Sequence, residues 1–202
     1  MAGFLAIRRY PKFRRAPGNH PPMQLQSLSH LLSVIQAVAR PQKIYLFGSA
    51  CLLPEHPELG EPGQPLALTQ DGDFLIEPVD DSMAGVLQEA LGKEAIFMEH
   101  FGYYADILRP AIAETLPAGW HSRLHPVAGY DNVFALDPYD LAVVKLMVGR
   151  EKDLDLLRAM LRLNIVDPLR LRQHYQQTPL GERESLTAGR NLTLLFQELG
   201  QP

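Results

Sequence analysis

Thr69-Gln70-Asp71-Gly72-Asp73-Phe74 is the stretch of sequence from which the predicted fold is built. Alternate side chains of a strand point to the same face, so Asp71 and Asp73 are expected to project together, with Cα atoms roughly 6.6 Å apart. Carboxylate oxygens are ligands that Mg²⁺ accepts, and Mg²⁺ keeps water and substrate phosphates as further ligands. Asp-Gly is also the strongest short hairpin signal. A metal site and a simple turn therefore both remain open for this stretch.

Two apolar segments on either side of the acidic stretch support the metal-site hypothesis. Lys43–Phe47 predicts a short buried strand that ends at Gly48-Ser49, a tight turn whose amides and hydroxyl can approach a nucleotide phosphate. Residues 103–108 predict another strand, which carries Asp106 in an apolar run. Such a carboxylate is costly to bury unless it is paired or binds metal, although on an edge strand it can face water. The three segments together predict a site for a divalent metal and phosphates.

The composition limits the classes of function. The 202 residues fit one domain, or one domain with a helical appendix, and the net charge of −4 gives no strongly basic field, so any nucleic-acid contact must be local. The single cysteine, Cys51, permits neither a disulfide within the chain nor a cysteine-based zinc site, which favours a reducing cytoplasm. No apolar run reaches the roughly 18 residues of a membrane span, and no secretory signal is expected.

The order of predicted elements indicates an α/β fold with a small mixed sheet, followed by a C-terminal helical segment. Apolar residues at three- and four-residue spacing predict a helix over 24–39. Residues 95–98 and 103–108 predict adjacent strands. Asp137-Pro138 and Asp167-Pro168 predict helix starts, with aspartate as the N-cap and proline at the first position.

A second block of charged residues lies in the helical half of the sequence. Lys145 falls in the apolar middle of its predicted helix, where a lysine either extends to solvent or serves a site. Arg150 and Lys152 can neutralise phosphates, and Asp153 can hold one of these cations in place. Ion pairs on a solvated helix explain the same pattern. The acidic residues decide between these two interpretations in favour of a site.

Together these residues resemble the nucleotidyltransferase superfamily with the polymerase-beta-like palm. The first set follows the motif order of that superfamily: Gly48-Ser49, Thr69-x-Asp71-x-Asp73-Phe74 and Asp106. The second set resembles a narrower group, the small prokaryotic nucleotidyltransferases related to AbiEii-type and MenT-type toxins: Asp137-Pro-x-Asp140-Leu-Ala-x-x-Lys145-Leu and Arg150-x-Lys152-Asp153-x-Asp155. The resemblance covers about residues 30–165.

The resemblance implies transfer of a nucleotidyl group from an NTP to an acceptor, with Mg²⁺ or Mn²⁺. The implied catalytic and metal-binding residues are Asp71, Asp73 and Asp106. The implied nucleotide-binding residues are Gly48, Ser49, Lys145, Arg150 and Lys152, supported by Thr69 and Asp153. In toxin relatives the acceptor is a tRNA 3′ end and a neighbouring antitoxin restrains the enzyme. A protein hydroxyl or a small molecule is the other kind of acceptor that we consider.

Two departures from the superfamily pattern leave an alternative open. The 21 residues between Ser49 and Asp71, many of them in a Pro/Gly-rich loop over 54–65, exceed the usual spacing, and Gly72 stands where an apolar residue is usual. A catalytically inactive member that binds or regulates is the alternative function, and a structural domain with an acidic hairpin turn is the third.

We predict three parts of the chain from these patterns. Residues 1–23 form a basic, flexible extension, residues 24–136 a palm-like nucleotidyltransferase domain, and residues 137–202 a C-terminal helical segment.

Overall fold

A five-stranded mixed sheet forms the centre of the protein in the computed structural model, which describes residues 23–78 and 80–200. The strands are β1 (Lys43–Phe47), β2 (Asp71–Glu77), β3 (Tyr104–Ile107), β4 (His125–Pro126) and β5 (Val133–Ala135). Their order in the sheet is β3-β2-β1-β5-β4. The strand β2 runs antiparallel to β1 and parallel to β3, so it is paired along both edges. The predicted α/β class with a small mixed sheet is confirmed.

Helices occupy most of the remaining described sequence, and they dominate its second half. They are α1 (Leu25–Ala39), α2 (Asp81–Leu91), α3 (Ile96–Phe101), α4 (Pro138–Val148), α5 (Glu151–Arg162), α6 (Pro168–Gln177) and α7 (Glu182–Glu198). None of the helices in this described part of the chain combines the length and the apolar composition that a membrane crossing requires. The predicted extension over residues 1–23 lies outside the described residues except for Met23, which is buried.

Aspartate caps start α4 and α6, as predicted. The Asp137 carboxylate accepts hydrogen bonds from the backbone N–H groups of Tyr139 at 2.8 Å and Asp140 at 3.3 Å. The Asp167 carboxylate accepts one from the N–H of Arg170 at 2.8 Å. In each helix proline occupies the first turn. A backbone N–H at that position has no acceptor within the helix, so the helix loses no hydrogen bond because proline lacks this group.

The hydrophobic core continues from the sheet into the helical half. Leu46 of β1, Leu141 of α4 and Leu192 of α7 belong to one buried cluster. On the face of the sheet that carries the acids, Trp120 packs its ring against Tyr45 and Phe47, with centroid separations of 5.7 and 5.3 Å. The predicted boundary between a domain over residues 24–136 and a helical segment over residues 137–202 stays a prediction.

The predicted strand over residues 95–98 is wrong, because α3 occupies this segment. Phe97 and Phe101 lie one helical turn apart, and their ring centroids are 4.6 Å from each other. Gly102 ends the helix with φ of 84°, a left-handed conformation that favours glycine. A short apolar run contains too few residues for its periodicity to distinguish a strand from a buried helix. The packing of the two rings is what favours the helix.

Gly72 lies inside a paired strand and does not form a turn. A Cβ atom at this position would lie 2.8 and 2.9 Å from two ring carbons of Phe74, which is itself fully buried. The Phe74 ring therefore occupies the space that a side chain at residue 72 would need. The hairpin-turn interpretation of the acidic stretch is wrong, and packing accounts for the glycine between the acids.

Gly72→Ala is expected to lower the free energy of unfolding by about 1–3 kcal/mol, because the added methyl group forces the Phe74 ring from its place. Gly85→Ala is the matched control, since a Cβ atom there meets nothing within 4 Å. Gly85 lies within α2, where alanine is expected to stabilise by about 0.5–1 kcal/mol. Urea unfolding measures both changes. If Gly72→Ala stabilises the protein as Gly85→Ala does, the claim that the Phe74 ring fills the space at residue 72 is contradicted.

Candidate functional site

Three carboxylates project from the same face of the sheet. Asp73 of β2 is paired with Asp106 of β3, and Asp71 is paired with Tyr104. Paired residues of neighbouring strands share a face about 4.8 Å apart, and residues two apart in one strand also share a face. Asp71, Asp73 and Asp106 are each half-buried and line one cavity of about 280 Å³. Strand pairing therefore brings the three acids together.

The rest of the cavity wall consists mostly of residues that the sequence pattern singled out. The predicted residues that line the cavity are Ser49, Thr69, Asp71, Asp73, Asp106, Lys145, Arg150 and Lys152. Ser49 reaches the same cavity as Asp71 despite the 21 residues between them, because the intervening loop returns to the site through Pro65 and Leu66. The long insertion therefore does not separate the serine from the acids.

The acids concentrate negative charge that the protein does not fully neutralise. Within residues 23–78 and 80–200, none of the three carboxylates makes a hydrogen bond or an ion pair. Burial, and after it the negative charges of Asp71 and Asp106, raise the pKa of Asp73 to about 6 against the opposing effect of Lys145 and Lys152. Such a cluster favours a cation.

The assignment of these acids as metal ligands stays a prediction. No group of three or more histidine, cysteine, aspartate or glutamate side chains is arranged in the described residues so that it could hold a metal ion. Mg²⁺ is commonly held by one or two carboxylates, with substrate phosphates and water completing its coordination. The hard oxygen donors and unneutralised charge of Asp71, Asp73 and Asp106 fit that manner of binding.

Gly48 lies directly against the Asp73 carboxylate. Its φ of 57° and ψ of −166° fall in a region that essentially glycine alone adopts. A Cβ atom at this position would overlap Asp73 Oδ2 and lie 2.7 Å from Asp73 Cγ. The glycine therefore allows the backbone after β1 to touch the acid, and Ser49 follows at the start of a short 3₁₀ turn, Ser49–Leu52.

Gly48→Ala is expected to reduce the nucleotidyl transfer that the sequence predicts by at least about 10²-fold, because the methyl group displaces the Asp73 carboxylate, and small misplacements at a reacting centre cost that much. Gly129→Ala is the matched control: Gly129 also has positive φ, 86°, but a Cβ atom there meets nothing within 4 Å. Both variants carry backbone strain, and only Gly48→Ala touches the acid. Equal activity of the two variants would contradict the proposed role of the contact.

Asp153 holds two of the predicted phosphate-binding cations. Its carboxylate lies 3.2 Å from Lys145 Nζ and 2.7 Å from Arg150 Nε, and it also accepts the backbone N–H of Arg150 at 3.2 Å. The side chain of Asp153 is 1% exposed and that of Lys145 is 9% exposed. Burial alone would raise the pKa of Asp153, but the hydrogen bonds and charges of Arg150 and Lys145 lower it below its ordinary value. Asp153 is therefore ionised and fixes both cations.

Gly149 separates the helices that carry these cations. It ends α4 with φ of 63°, and α5 begins at Glu151. Lys145 and Lys152 therefore belong to two different helices. Lys152 is exposed and lines the acidic cavity from the first turn of α5.

The sequence interpretation missed the placement of Tyr104 and the partners of Asp140. Tyr104 shares the face of Asp71 and Asp106, and the alternation of β3 could have revealed it. Asp140 is fully buried and accepts hydrogen bonds from Arg123 Nε at 2.9 Å and His174 Nε2 at 2.6 Å. These partners lie 17 and 34 residues away, so no local pattern indicates them.

Comparison with known proteins identifies a family for most of the chain. A family model described as "Nucleotidyltransferase of unknown function (DUF6036)" matches residues 24–198. No curated protein and no solved structure matches the chain. The matched range contains every site residue described above.

Proposed function

We propose that this chain, which belongs to the DUF6036 family of nucleotidyltransferases, transfers a nucleotidyl group from an NTP to an acceptor with the help of Mg²⁺ or Mn²⁺. One observation carries the proposal: three carboxylates and three cationic side chains line the same cavity. Phosphoryl transfer depends mainly on positioning and on neutralising the charge of the phosphates. The two sets of side chains supply these two requirements.

The acids act at the α-phosphate in this proposal. The acceptor oxygen forms a bond to the α-phosphorus while the bond from that phosphorus to the pyrophosphate oxygen breaks, and pyrophosphate leaves. Asp71 and Asp73 would hold the metal, and Asp106 would complete the set and accept the proton of the attacking hydroxyl. A divalent metal bound there supplies positive charge to the phosphates and orients them.

The cations bind the remainder of the triphosphate. Lys145 and Arg150 are held by Asp153, and Ser49 offers a hydroxyl from the turn after β1. Charges that are already fixed need no reorganisation when the reaction occurs, which is why preorganised groups stabilise a transition state strongly. Lys145, Arg150 and Ser49 are therefore assigned to the β- and γ-phosphates.

The acceptor and the biological role rest on the narrower sequence resemblance. We infer that the chain is a prokaryotic, cytoplasmic relative of the AbiEii-type and MenT-type toxins, that its acceptor is a tRNA 3′ end, and that an antitoxin restrains it. The block from Asp137 to Asp155 supports this inference. A net charge of −4 suits contact with an end of RNA and not broad coverage of it. A protein hydroxyl and a small molecule remain the alternative acceptors.

The direct test is transfer of label from α-labelled NTPs. The protein is incubated with each NTP, Mg²⁺ and either total tRNA or cell lysate. Asp71→Asn is the test variant, and Asp131→Asn, which changes an exposed acid outside the cavity, is the control. We expect label in an acceptor with wild type and Asp131→Asn, and none with Asp71→Asn or with a chelator.

Each contrary outcome identifies a different error. Transfer that survives Asp71→Asn would exclude the proposed site. Binding of NTP and Mg²⁺ without transfer to any fraction would favour the inactive binding or regulatory protein. Absence of any NTP binding would contradict nucleotide chemistry altogether.

A further inference from the structure

A larger cavity adjoins the acidic one and has no function in the mechanism above. Its volume is about 630 Å³, and it shares Pro65, Thr69, Asp71 and Lys152 with the acidic cavity. Pockets of this size hold molecules as large as a nucleotide. The shared residues mean that a ligand bound at the acids can extend into this second space.

The lining of the larger cavity combines an aromatic ring with polar side chains that lack partners. Tyr104 projects from β3 beside Asp71 and lines the wall. Gln64, Gln70 and Arg162 also line it, and none of their side chains makes a hydrogen bond or ion pair with another described residue. An aromatic face surrounded by free donors and acceptors is suited to a nucleobase and its ribose.

The acidic cavity has a second neighbour of different chemistry. This smaller cavity, of about 260 Å³, is shared at Asp73, Lys145 and Arg150. Its other walls are mostly apolar and include Phe47, Leu108, Ile112, Leu116, Leu141 and Val144. Ribose hydroxyls and base edges placed there would lose hydrogen bonds to water without replacement, which is costly. The chemistry of the walls therefore favours the larger cavity for a nucleoside.

The two cations that Asp153 fixes, Lys145 and Arg150, support the same placement of the nucleoside. Lys145 and Arg150 border the acidic and the apolar cavities, whereas Asp71 and Lys152 border the acidic and the larger ones. An NTP is a linear molecule in which the α-phosphate joins the nucleoside to the β- and γ-phosphates. If the β- and γ-phosphates contact Lys145 and Arg150, the nucleoside leaves the acids on the Asp71 side.

We propose that the larger cavity is the nucleoside subsite for the donor NTP, with the Tyr104 ring stacking on the base. Gln64, Gln70 and Arg162 provide hydrogen bonds to the base and ribose. This assignment rests on the proposed nucleotidyl transfer. It makes Tyr104 a residue that determines NTP affinity without touching the reacting phosphate.

Calorimetry with two probes in the presence of Mg²⁺ tests the subsite. The probes are inorganic tripolyphosphate, which reports the phosphate-binding residues alone, and the α,β-methylene analogues of the four NTPs. We expect the wild type to bind at least one analogue about 10-fold or more tightly than tripolyphosphate, the scale that one base stacked on an aromatic ring provides. Tyr104→Leu should lose this difference while tripolyphosphate affinity stays within about twofold, and Tyr104→Phe should retain it.

Ile112→Ala is the control for the apolar cavity, and it should leave the affinity for the analogues unchanged. A loss with Ile112→Ala and none with Tyr104→Leu would place the nucleoside in the apolar cavity and overturn the inference. Equal affinities of the wild type for tripolyphosphate and all analogues would overturn it as well. Failure of the wild type to bind tripolyphosphate would instead contradict the proposed function itself.

Discussion

Asp73→Asn is expected to make the protein more stable at pH 8 while it slows nucleotidyl transfer by at least about 10²-fold. Burial and the charges of Asp71 and Asp106 raise the pKa of Asp73 to about 6, above its unfolded value near 4. The ionised carboxylate is therefore less favourable in the folded protein than in the unfolded chain. Asparagine keeps the shape of the side chain and removes the charge.

The sign of the pH dependence follows from these two values. Above about pH 6 the Asp73 carboxylate is ionised in both the folded and the unfolded state, and the full free-energy cost of burying its charge opposes folding. Below about pH 4 it is protonated in both states, and the cost disappears. The stability of the wild type relative to Asp73→Asn should therefore fall as pH rises from about 4 to 6. At pH 8 the difference is expected to be about 2–3 kcal/mol in favour of the variant.

Thermal unfolding at pH 8 and pH 4, with and without Mg²⁺, measures this effect. A gain of about 2–3 kcal/mol corresponds to several degrees in a protein of this size. Mg²⁺ should stabilise the wild type and not the variant, because a ligand stabilises only the folded form that binds it. Transfer should fall by at least about 10²-fold, the scale at which loss of one charge-stabilising group slows an enzyme. A variant that is less stable at pH 8 would show that the acid serves the fold.

The fold could be predicted where the chain makes its own local signal. The aspartate-proline pairs at residues 137 and 167 do start helices, and β1 has the predicted bounds, Lys43–Phe47. The prediction of a strand over residues 95–98 is wrong because this apolar run is too short to show whether its repeat is that of a helix or of a strand. The helix there depends on the contact between Phe97 and Phe101, which periodicity does not report.

Prediction of the site has the same limit, because the contacts that build it join residues distant in the sequence. Alternation in β2 predicted that Asp71 and Asp73 share a face, but the pairing of Asp73 with Asp106 is a register between strands that no single sequence specifies. Gly48 was expected to approach a phosphate, and the contact that the structure shows is with Asp73. Such contacts join residues that are distant in the chain, so they appear only when the strands are assembled.

Asp153→Ala is expected to have the second large effect, on both stability and phosphate binding. The substitution removes the shared partner of Lys145 and Arg150 and leaves the buried Lys145 ammonium without its ion-pair partner. Breaking a buried pair in this way typically costs about 3–5 kcal/mol. Glu151→Gln is the control on the same helix; its side chain is 77% exposed, and the expected change is within about 0.5 kcal/mol. Urea unfolding compares the two variants.

A large loss of stability would not by itself show why the protein keeps this charged pair. The double variant Lys145→Met, Asp153→Leu separates the two explanations, because replacing both partners of a buried pair by apolar residues is often neutral or stabilising. We expect the double variant to recover most of the stability lost in Asp153→Ala. Its affinity for tripolyphosphate should nevertheless fall by about 10-fold or more, since charge-assisted bonds to phosphate are among the strong ones. Stability without phosphate binding would mean that the protein keeps the Lys145–Asp153 pair for phosphate binding and not for the fold; recovery of both would mean that the pair serves only the fold.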